Sequence, residues 1–439
     1  MPEIRPLRAL RYDASRVGDL SLTLCSPYDV LSSDDQARLR AQSPYNFVRL
    51  ILPRDESGID RYRAARDLLE SWRRGGTLKR DPAPAYYFYE QEYSTGGGET
   101  LRRRGIFALV RLHDFSERII LPHEQTMPAP REDRYRLLEA SAAHLDPVFA
   151  LYTDPDQTVD TLFTQAAQDT PLVDARAPDG VQHRLWLTDR KEELARITAA
   201  LANTWVVIAD GHHRYESALR YSRSQPRDNG SPKPCDFMLM VLCNIDAPGL
   251  SVLPIHRMIH SVPEFDAQGW LRRLEEWFES RPLDLAQDDE RAAQTIEGAL
   301  QPFQEQGGAV VIATGRRRDA QLLTLRPGVD RAQELGGSTA GPLLRLDVSL
   351  VHGLILERSL KMTSDEQLHQ TRMRYAKSTG AALDDLGSGS SQAAIFMNPT
   401  PIRSIVDATS AGLRMPPKST FFYPKMISGL VIHPFDDEG

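Results

Sequence analysis

A mixed α/β (α+β) protein is what this sequence predicts, on three observations. First, the apolar, largely β-branched run Trp205-Val206-Val207-Ile208-Ala209 stops at Asp210-Gly211, after which Tyr215, Ala218 and Leu219 fall at helical spacing. Second, strand-like and helix-like segments alternate up to about residue 265. Third, the 439 residues are 41% hydrophobic and 26% charged, an ordinary globular composition with enough apolar material for real cores. A chain of this length suggests two or three domains.

Taken in order, residues 34–41 and 59–73 read as helices, and residues 20–24 look strand-like. In the second helix Tyr62, Ala65, Leu68, Leu69 and Trp72 make one face, and Gly75-Gly76 closes it. Segments 85–93 and 105–112 flank a glycine-rich stretch at 94–98 and predict a hairpin. A short strand over 118–122 runs into His123-Glu124-Gln125-Thr126. A helix is predicted over 133–143, strands over 148–152 and 184–188, and a helix over 190–203. The strand-to-helix unit at 205–221 follows. Segments 237–243 and 250–254 are apolar and lead into His256-Arg257. Near 265 the composition changes. Residues 269–306 form a charge-rich helical stretch, 308–313 and 321–325 read as strands, and 327–343 is a Gly- and Pro-rich linker or loop. Residues 346–360 predict a helix with Val348, Val351, Leu354, Ile355 and Leu356 on its apolar face. A strand over 393–397 and a helix over 401–411 precede the closing segment 415–432. The expected division is an N-terminal and central α/β portion, 1–265, and a C-terminal α/β portion, 266–439.

The charge balance excludes some functions. With 53 basic and 60 acidic residues the net charge is −7, whereas duplex DNA binders usually carry a basic surplus. Cys25, Cys235 and Cys243 are odd in number and widely spaced, with no CxxC. This argues against a disulfide framework or structural zinc and fits a reducing compartment. The start, Met1-Pro2-Glu3-Ile4-Arg5-Pro6, has no apolar signal region, and no run of about 18 apolar residues occurs. A cytoplasmic protein without membrane or nucleic-acid partners is the expectation.

The chemistry concentrates at Asp210-Gly211-His212-His213-Arg214. A helix starting here turns its free N–H groups and the positive end of its dipole towards one acid, two imidazoles and a guanidinium, which makes an anion site. Asp210 could hold a divalent metal, act as a base or simply cap the helix. His212 and His213 could donate to phosphate oxygens or shuttle protons, and Arg214 could grip phosphate bidentately. Glu124, at a strand end beside His123 and Thr126, suits base or metal-carboxylate work, or belongs to a polar loop. Met415-Pro416-Pro417-Lys418-Ser419-Thr420-Phe421-Phe422-Tyr423-Pro424-Lys425 joins two cations to hydroxyls and aromatics. The glycines of a P-loop are missing, so a Walker site is rejected. Lys418, Ser419 and Thr420 could still meet a phosphate, while Phe421 and Phe422 read as core. Asp29, in Ser26-Pro27-Tyr28-Asp29-Val30, caps a turn or binds substrate, and His256-Arg257 repeats the His-Arg pairing. HExxH is absent, and the adjacent His212 and His213 point apart, so spacing gives a zinc site no support.

These motifs, in this order over nearly the whole chain, resemble the DUF1015 family of largely uncharacterised prokaryotic proteins. The resemblance rests on 26–30, 43–50, Arg104-Gly105, His123–Thr126, 210–218, His256-Arg257 and 415–425. Where the family more often has proline and threonine, this chain has Ser26 and Ile255, and neither difference removes a charge. The Asp-Gly-His-His-Arg turn resembles the phosphate-handling turn of the ParB/sulfiredoxin superfamily, which includes partition proteins, an ATP-using sulfinic acid reductase and free-serine kinases. The resemblance implies a ParB/sulfiredoxin-like nucleotide-binding core with an additional C-terminal α/β portion. It also implies an ATP- and Mg²⁺-dependent kinase that converts free L-serine, or another small hydroxy amino acid, to its phosphate ester.

Phosphoryl transfer needs cations around the γ-phosphate, a metal carboxylate and a base near the attacking hydroxyl. Arg214, His212, His213 and Lys418 are candidates for the first, and Asp210 or Glu124 for the others, with Gly211 in the phosphate turn. Asp29 would take the substrate ammonium and His256-Arg257 its carboxylate. The segment 415–425 is expected to return to this site. Two alternatives stand: a nucleotide-binding regulatory module, which should carry a basic helix pair, and a metal-dependent hydrolase.

Overall fold

The structure, a computed structural model, describes residues 1–55, 58–95, 99–124, 128–226, 230–315, 319–336, 339–416 and 418–436. Residues 96–98 of the expected hairpin turn, Gln125 and Thr126 of the strand-end motif, and Pro417 lie outside the described residues. The chain divides into two compact units. The first is Met1–Pro122, Thr126–Leu250 and Pro424–Gly439, and the second is His123–Gln125 and Ser251–Tyr423.

This division departs from the expected boundary at 265, because non-local pairing outweighs local composition. Ser251–Leu253 pairs with Phe421–Tyr423, and His256–Ile259 lies between Met373–Ala376 and Ala393–Met397. The chain builds the second unit and then supplies its last stretch to the first.

The first unit is built on a nine-stranded mixed sheet. Its order is Ile120–Pro122, Val206–Asp210, Val148–Tyr152, Phe237–Asn244, Thr100–Arg111, Tyr86–Ser94, Gln182–Thr188 and Val173–Arg176, with Ile4–Arg5 added beside Thr100–Arg111. Tyr86–Ser94 and Thr100–Arg111 are the expected antiparallel pair. Val206–Asp210 runs parallel to Ile120–Pro122 and antiparallel to Val148–Tyr152. Flanked on both sides and covered on both faces, its residues Val206–Ala209 are all buried, which explains a continuous apolar run in place of alternation. Helix His212–Ser224 lays Tyr215 and Ala218 on the same core as Val206 and Ile208.

Helices Ser33–Gln42, Val48–Ile51 and Arg61–Arg74 form a second core around Leu39, Val48, Leu69 and Trp72. Residues Leu20–Leu22, expected in a strand, form a 3₁₀ turn instead. Asp19 caps it by accepting the Ser21 N–H, and Leu20 and Leu22 are only half-buried. The C-terminal stretch threads back through this unit: Ser428 bridges to Cys25, Ile432 to Leu10, and His433–Pro434 pairs with Ala143–His144.

The second unit holds a fully antiparallel six-stranded sheet. Its order is Phe278–Leu283, Asp319–Leu325, Ala309–Thr314, Ala393–Met397, His256–Ile259 and Met373–Ala376. Helices Asp289–Leu300 and Thr379–Gly387 pack Ile296, Leu300, Leu383 and Leu386 against Val311 and Phe396. The charge-rich stretch expected to be helical contains an edge strand, Phe278–Leu283. Four consecutive residues of that strand are exposed, so it shows no alternation. The helix expected over 346–360 begins as α over Asp347–Leu350 and widens to π over Val351–Ser359. Among the described residues, no helix is long and apolar enough to cross a membrane.

Candidate functional site

In the first unit the strand-to-helix turn is shaped by two local irregularities. The ladder between Val206–Asp210 and Val148–Tyr152 shifts register, with Ile208 opposite Ala150 and Asp210 opposite Phe149. The extra residue is a bulge, the device that re-aims side chains at strand ends. Gly211 then adopts φ +95° and ψ 27°, a left-handed conformation that caps helix His212–Ser224. A Cβ on Gly211 would come within 2.9 Å of the Arg214 guanidinium, so only glycine lets Arg214 fold back over the turn.

Arg214 uses that space. Its Nη2 donates to Asp210 Oδ2 at 2.8 Å and its Nη1 donates to the Pro147 carbonyl. The side chain is 9% exposed and faces inward. Arg214 thereby holds the Asp210 carboxylate in place. On the other side of that carboxylate stands Lys425, whose Nζ is 2.5 Å from Oδ1. Burial alone would raise the Asp210 pKa. Lys425, Arg214 and His212 outweigh it and hold the carboxyl well below the usual range. Asp210 is thus a firmly ionised carboxylate clamped between two cations, which suits a cation anchor better than a general base. His212 is buried and His213 half-buried in the first helical turn.

The backbone that carries Lys425 is itself fixed. Gln91 Nε2 donates to the Lys425 carbonyl at 2.9 Å, and Arg103 Nη2 donates to that of Pro424. Arg103 Nε also donates to Gln91 Oε1 at 3.1 Å, and its guanidinium lies 4.8 Å from the centre of the Phe149 ring. Two residues of the central hairpin thereby aim the lysine. Asp29 is exposed; burial lowers the Arg214 pKa, and the charges of Asp210, Asp146 and then Asp29 raise it, so the 26–30 loop borders the same turn. Its neighbour Tyr28 is held up to about 12 by burial, under the Arg134 guanidinium at 4.1 Å from the ring centre.

The other expected site residues belong to the second unit and form their own cluster. Glu124 Oε1 accepts the Lys418 N–H at 3.0 Å, and Met415 N–H donates to the His123 carbonyl at 2.8 Å. Lys418 has φ +56°, uncommon outside glycine. Ser419 Oγ donates to the Pro416 carbonyl at 2.5 Å, and Thr420 Oγ1 lies 2.8 Å from His123 Nε2. The hydroxyls expected to meet phosphate thus hold this turn together.

Strand alternation separates the His-Arg pair. His256, expected to meet the substrate carboxylate, is 1% exposed and lies in the core against Phe396 and Thr379. Arg257, equally buried, donates through Nη2 to the Lys418 carbonyl and to His352 Nε2, each at 3.0 Å.

So Asp210, Gly211, His212, His213, Arg214 and Asp29 share one unit, while Glu124, Lys418, Ser419, Thr420, His256 and Arg257 share the other. Sequence reasoning chose Lys418 from the closing segment and passed over Lys425. Nothing local distinguishes the two lysines. What does is the pairing of 424–436 with residues near the N-terminus. Among the described residues, no three His, Cys, Asp or Glu side chains gather to hold a metal ion. Cys25, Cys235 and Cys243 are all buried, and none is joined in a disulfide among the described residues.

The family model DUF1015, described as a protein of unknown function, matches residues 4–349. No curated protein matches the sequence. Among solved structures, a mutant free serine kinase in complex with ADP is similar at 13% identity and a TM-score of 0.35, over 72% of this chain and 87% of that one. A conserved hypothetical protein from Pyrococcus furiosus is similar at 13% identity and a TM-score of 0.35, over 74% and 94%. SbnI from Staphylococcus aureus, with a C-terminal truncation, is similar at 11% identity and a TM-score of 0.33, over 76% and 90%.

Proposed function

We propose that this chain, which belongs to the DUF1015 family, is an ATP-dependent phosphotransferase acting on the hydroxyl of a small amino acid, with free L-serine the first acceptor to test. One observation carries the reading: the Asp210 carboxylate is paired with the Lys425 ammonium at the N-terminus of helix His212–Ser224. Such a pair holds one charge of each sign ready for a metal-bound polyphosphate. Phosphate oxygens would take over Lys425, and the metal would take over Asp210. The helix N-terminus favours the same anion.

Mg²⁺ is commonly bound by one or two carboxylates together with the substrate's phosphates, a demand that Asp210 meets. Mg²⁺ would neutralise charge developing on the phosphoryl oxygens. Arg214 keeps Asp210 oriented, and Arg103 and Gln91 keep Lys425 in reach. Asp210, ionised between two cations, is a poor proton acceptor. The exposed Asp29 at the border of the turn is the carboxylate suited to the acceptor, taking its hydroxyl proton or its ammonium.

The test is incubation of the full chain with ATP, Mg²⁺ and a panel of amino acids, following ADP and the phosphorylated product. Turnover with L-serine or a related hydroxy amino acid is expected. Asp210→Asn should lower turnover roughly a hundredfold or more, as loss of a key electrostatic group does. No turnover with any acceptor, together with no heat of ATP binding, would overturn the proposal.

A further inference from the structure

The second unit contains a cleft of about 440 Å³ that the proposed phosphotransfer chemistry does not use. Small-molecule sites typically occupy about 300–1,000 Å³. One wall is apolar, from Leu335, Leu343, Leu368 and Met415. Leu368 is 41% exposed there, an unusual exposure for a leucine on a helix of this protein. The lining also includes Ser349, His352, Gly353 and Glu357 from the segment where the helix widens from α to π, Asp347–Leu350 into Val351–Ser359. π-Helical turns are rare and are frequently found at functional sites.

That segment offers a polar group without a partner. Ser349 lines the cleft and is 4% exposed, and its Oγ makes no hydrogen bond. A buried hydroxyl left unsatisfied is costly and is normally paired. Its neighbour His352 is fully committed. Nε2 accepts from Arg257, and a second hydrogen bond joins the ring to Gln367, which donates on to the Met362 carbonyl at 3.1 Å. Since arginine can only donate, the His352 proton sits on Nδ1, and burial with the adjacent Arg257 charge keeps the ring neutral. The His352 side chain therefore fixes the shape of the lining and leaves ligand recognition to its neighbours. Glu357 and Arg414 add one charge of each sign to the lining.

The geometry points to a binding site in this cleft for a free α-amino acid with an apolar side chain. The apolar wall takes the side chain, Arg414 the carboxylate, Glu357 the ammonium, and Ser349 Oγ a carboxylate oxygen. A zwitterion is the small-molecule class that answers both charges at once. The cleft lies wholly within the second unit and does not depend on the phosphotransferase reading.

Isothermal titration of the full chain with L-leucine, L-methionine and L-phenylalanine tests it. At least one should bind, with 4-methylvalerate and 3-methylbutylamine weaker by roughly tenfold or more, the usual loss of a hydrogen bond to a charged group. Glu357→Gln and Arg414→Met should each weaken binding about as much, Ser349→Ala by roughly fivefold, and Asp210→Asn should leave it unchanged. Three results would overturn the proposal: no heat from any of the three amino acids at millimolar concentration, equal binding of the two truncated analogues, or full binding by the Glu357→Gln/Arg414→Met double variant.

Discussion

Lys425→Met removes an ammonium and little else, since methionine keeps an apolar stem of similar length. Removing one partner of a buried ion pair typically costs about 3–5 kcal/mol. Here the two side chains remain 15% and 16% exposed, and Arg214 still donates to Oδ2 at 2.8 Å. The expected loss is therefore smaller, about 2 kcal/mol. For a unit of this size that lowers Tm by about 4–8 °C. The sign of the pH dependence follows from Asp210, whose folded pKa is depressed. Its stabilisation is present above the unfolded value of about 3.9 and is lost as pH falls through the folded value. Urea denaturation followed by tryptophan fluorescence should show the full gap between wild type and variant near neutral pH, and a shrinking gap below about pH 4. Lys425→Arg should recover most of the stability. In the phosphotransfer assay, Lys425→Met should lower kcat/KM by about 10²–10³-fold, the usual effect of removing one preorganised electrostatic group. Coincident urea midpoints at neutral pH would refute the energetic argument. A stability gap without any effect on ATP binding or turnover would assign the pair a purely structural role.

Gly211→Ala should cost about 1–2 kcal/mol for placing an L-residue at φ +95°, and more because its Cβ meets the Arg214 guanidinium. Gly180→Ala is the control: φ is +85° but nothing lies within 4 Å of the new Cβ, so thermal unfolding should show a smaller loss there. Equal losses would show that Arg214 moves aside freely. Three histidines of the first unit are pushed down by burial, His144 and His183 to about 3 and His433 to about 4. They stay neutral when folded and take up protons on unfolding below about pH 6.5, so stability falls as pH drops through that value. Urea midpoints should reveal a loss of roughly 3–4 kcal/mol between about pH 7 and 5.5, and a flat profile would refute it.

What was legible in the sequence is what is decided locally. The strand at Val206–Asp210 and helix His212–Ser224 follow from an apolar run broken by a glycine, because the breaking residue also adopts the left-handed cap. Val148–Tyr152 and Ala393–Met397 were equally clear, since central strands buried on both faces need an unbroken apolar run. Edge strands were not. Phe278–Leu283 exposes Glu279–Pro282 to water and so looks like part of a charged helix. The π-widening at Val351–Ser359 keeps the apolar residues of an ordinary helix and changes only the hydrogen-bond ladder, which composition does not encode.

The site shows the same divide. Asp210, Gly211 and Arg214 are neighbours in sequence, and their proximity required only a turn. The partner that completes the charge balance comes from 215 residues further along the chain. The closing segment carries two lysines, and the ladders decide between them. Phe421–Tyr423 pairs with Ser251–Leu253 and keeps Lys418 in the second unit, where its backbone N–H serves Glu124 and its carbonyl serves Arg257. From Pro424 the chain pairs with Cys25, Leu10 and the 143–144 strand, and Arg103 and Gln91 grip the carbonyls of Pro424 and Lys425. Which lysine of that segment reaches Asp210 is therefore decided by where the backbone changes units, between Tyr423 and Pro424. A two-residue shift of that crossover would carry Lys425 into the second unit with the rest of the closing segment and deprive Asp210 of its ammonium partner.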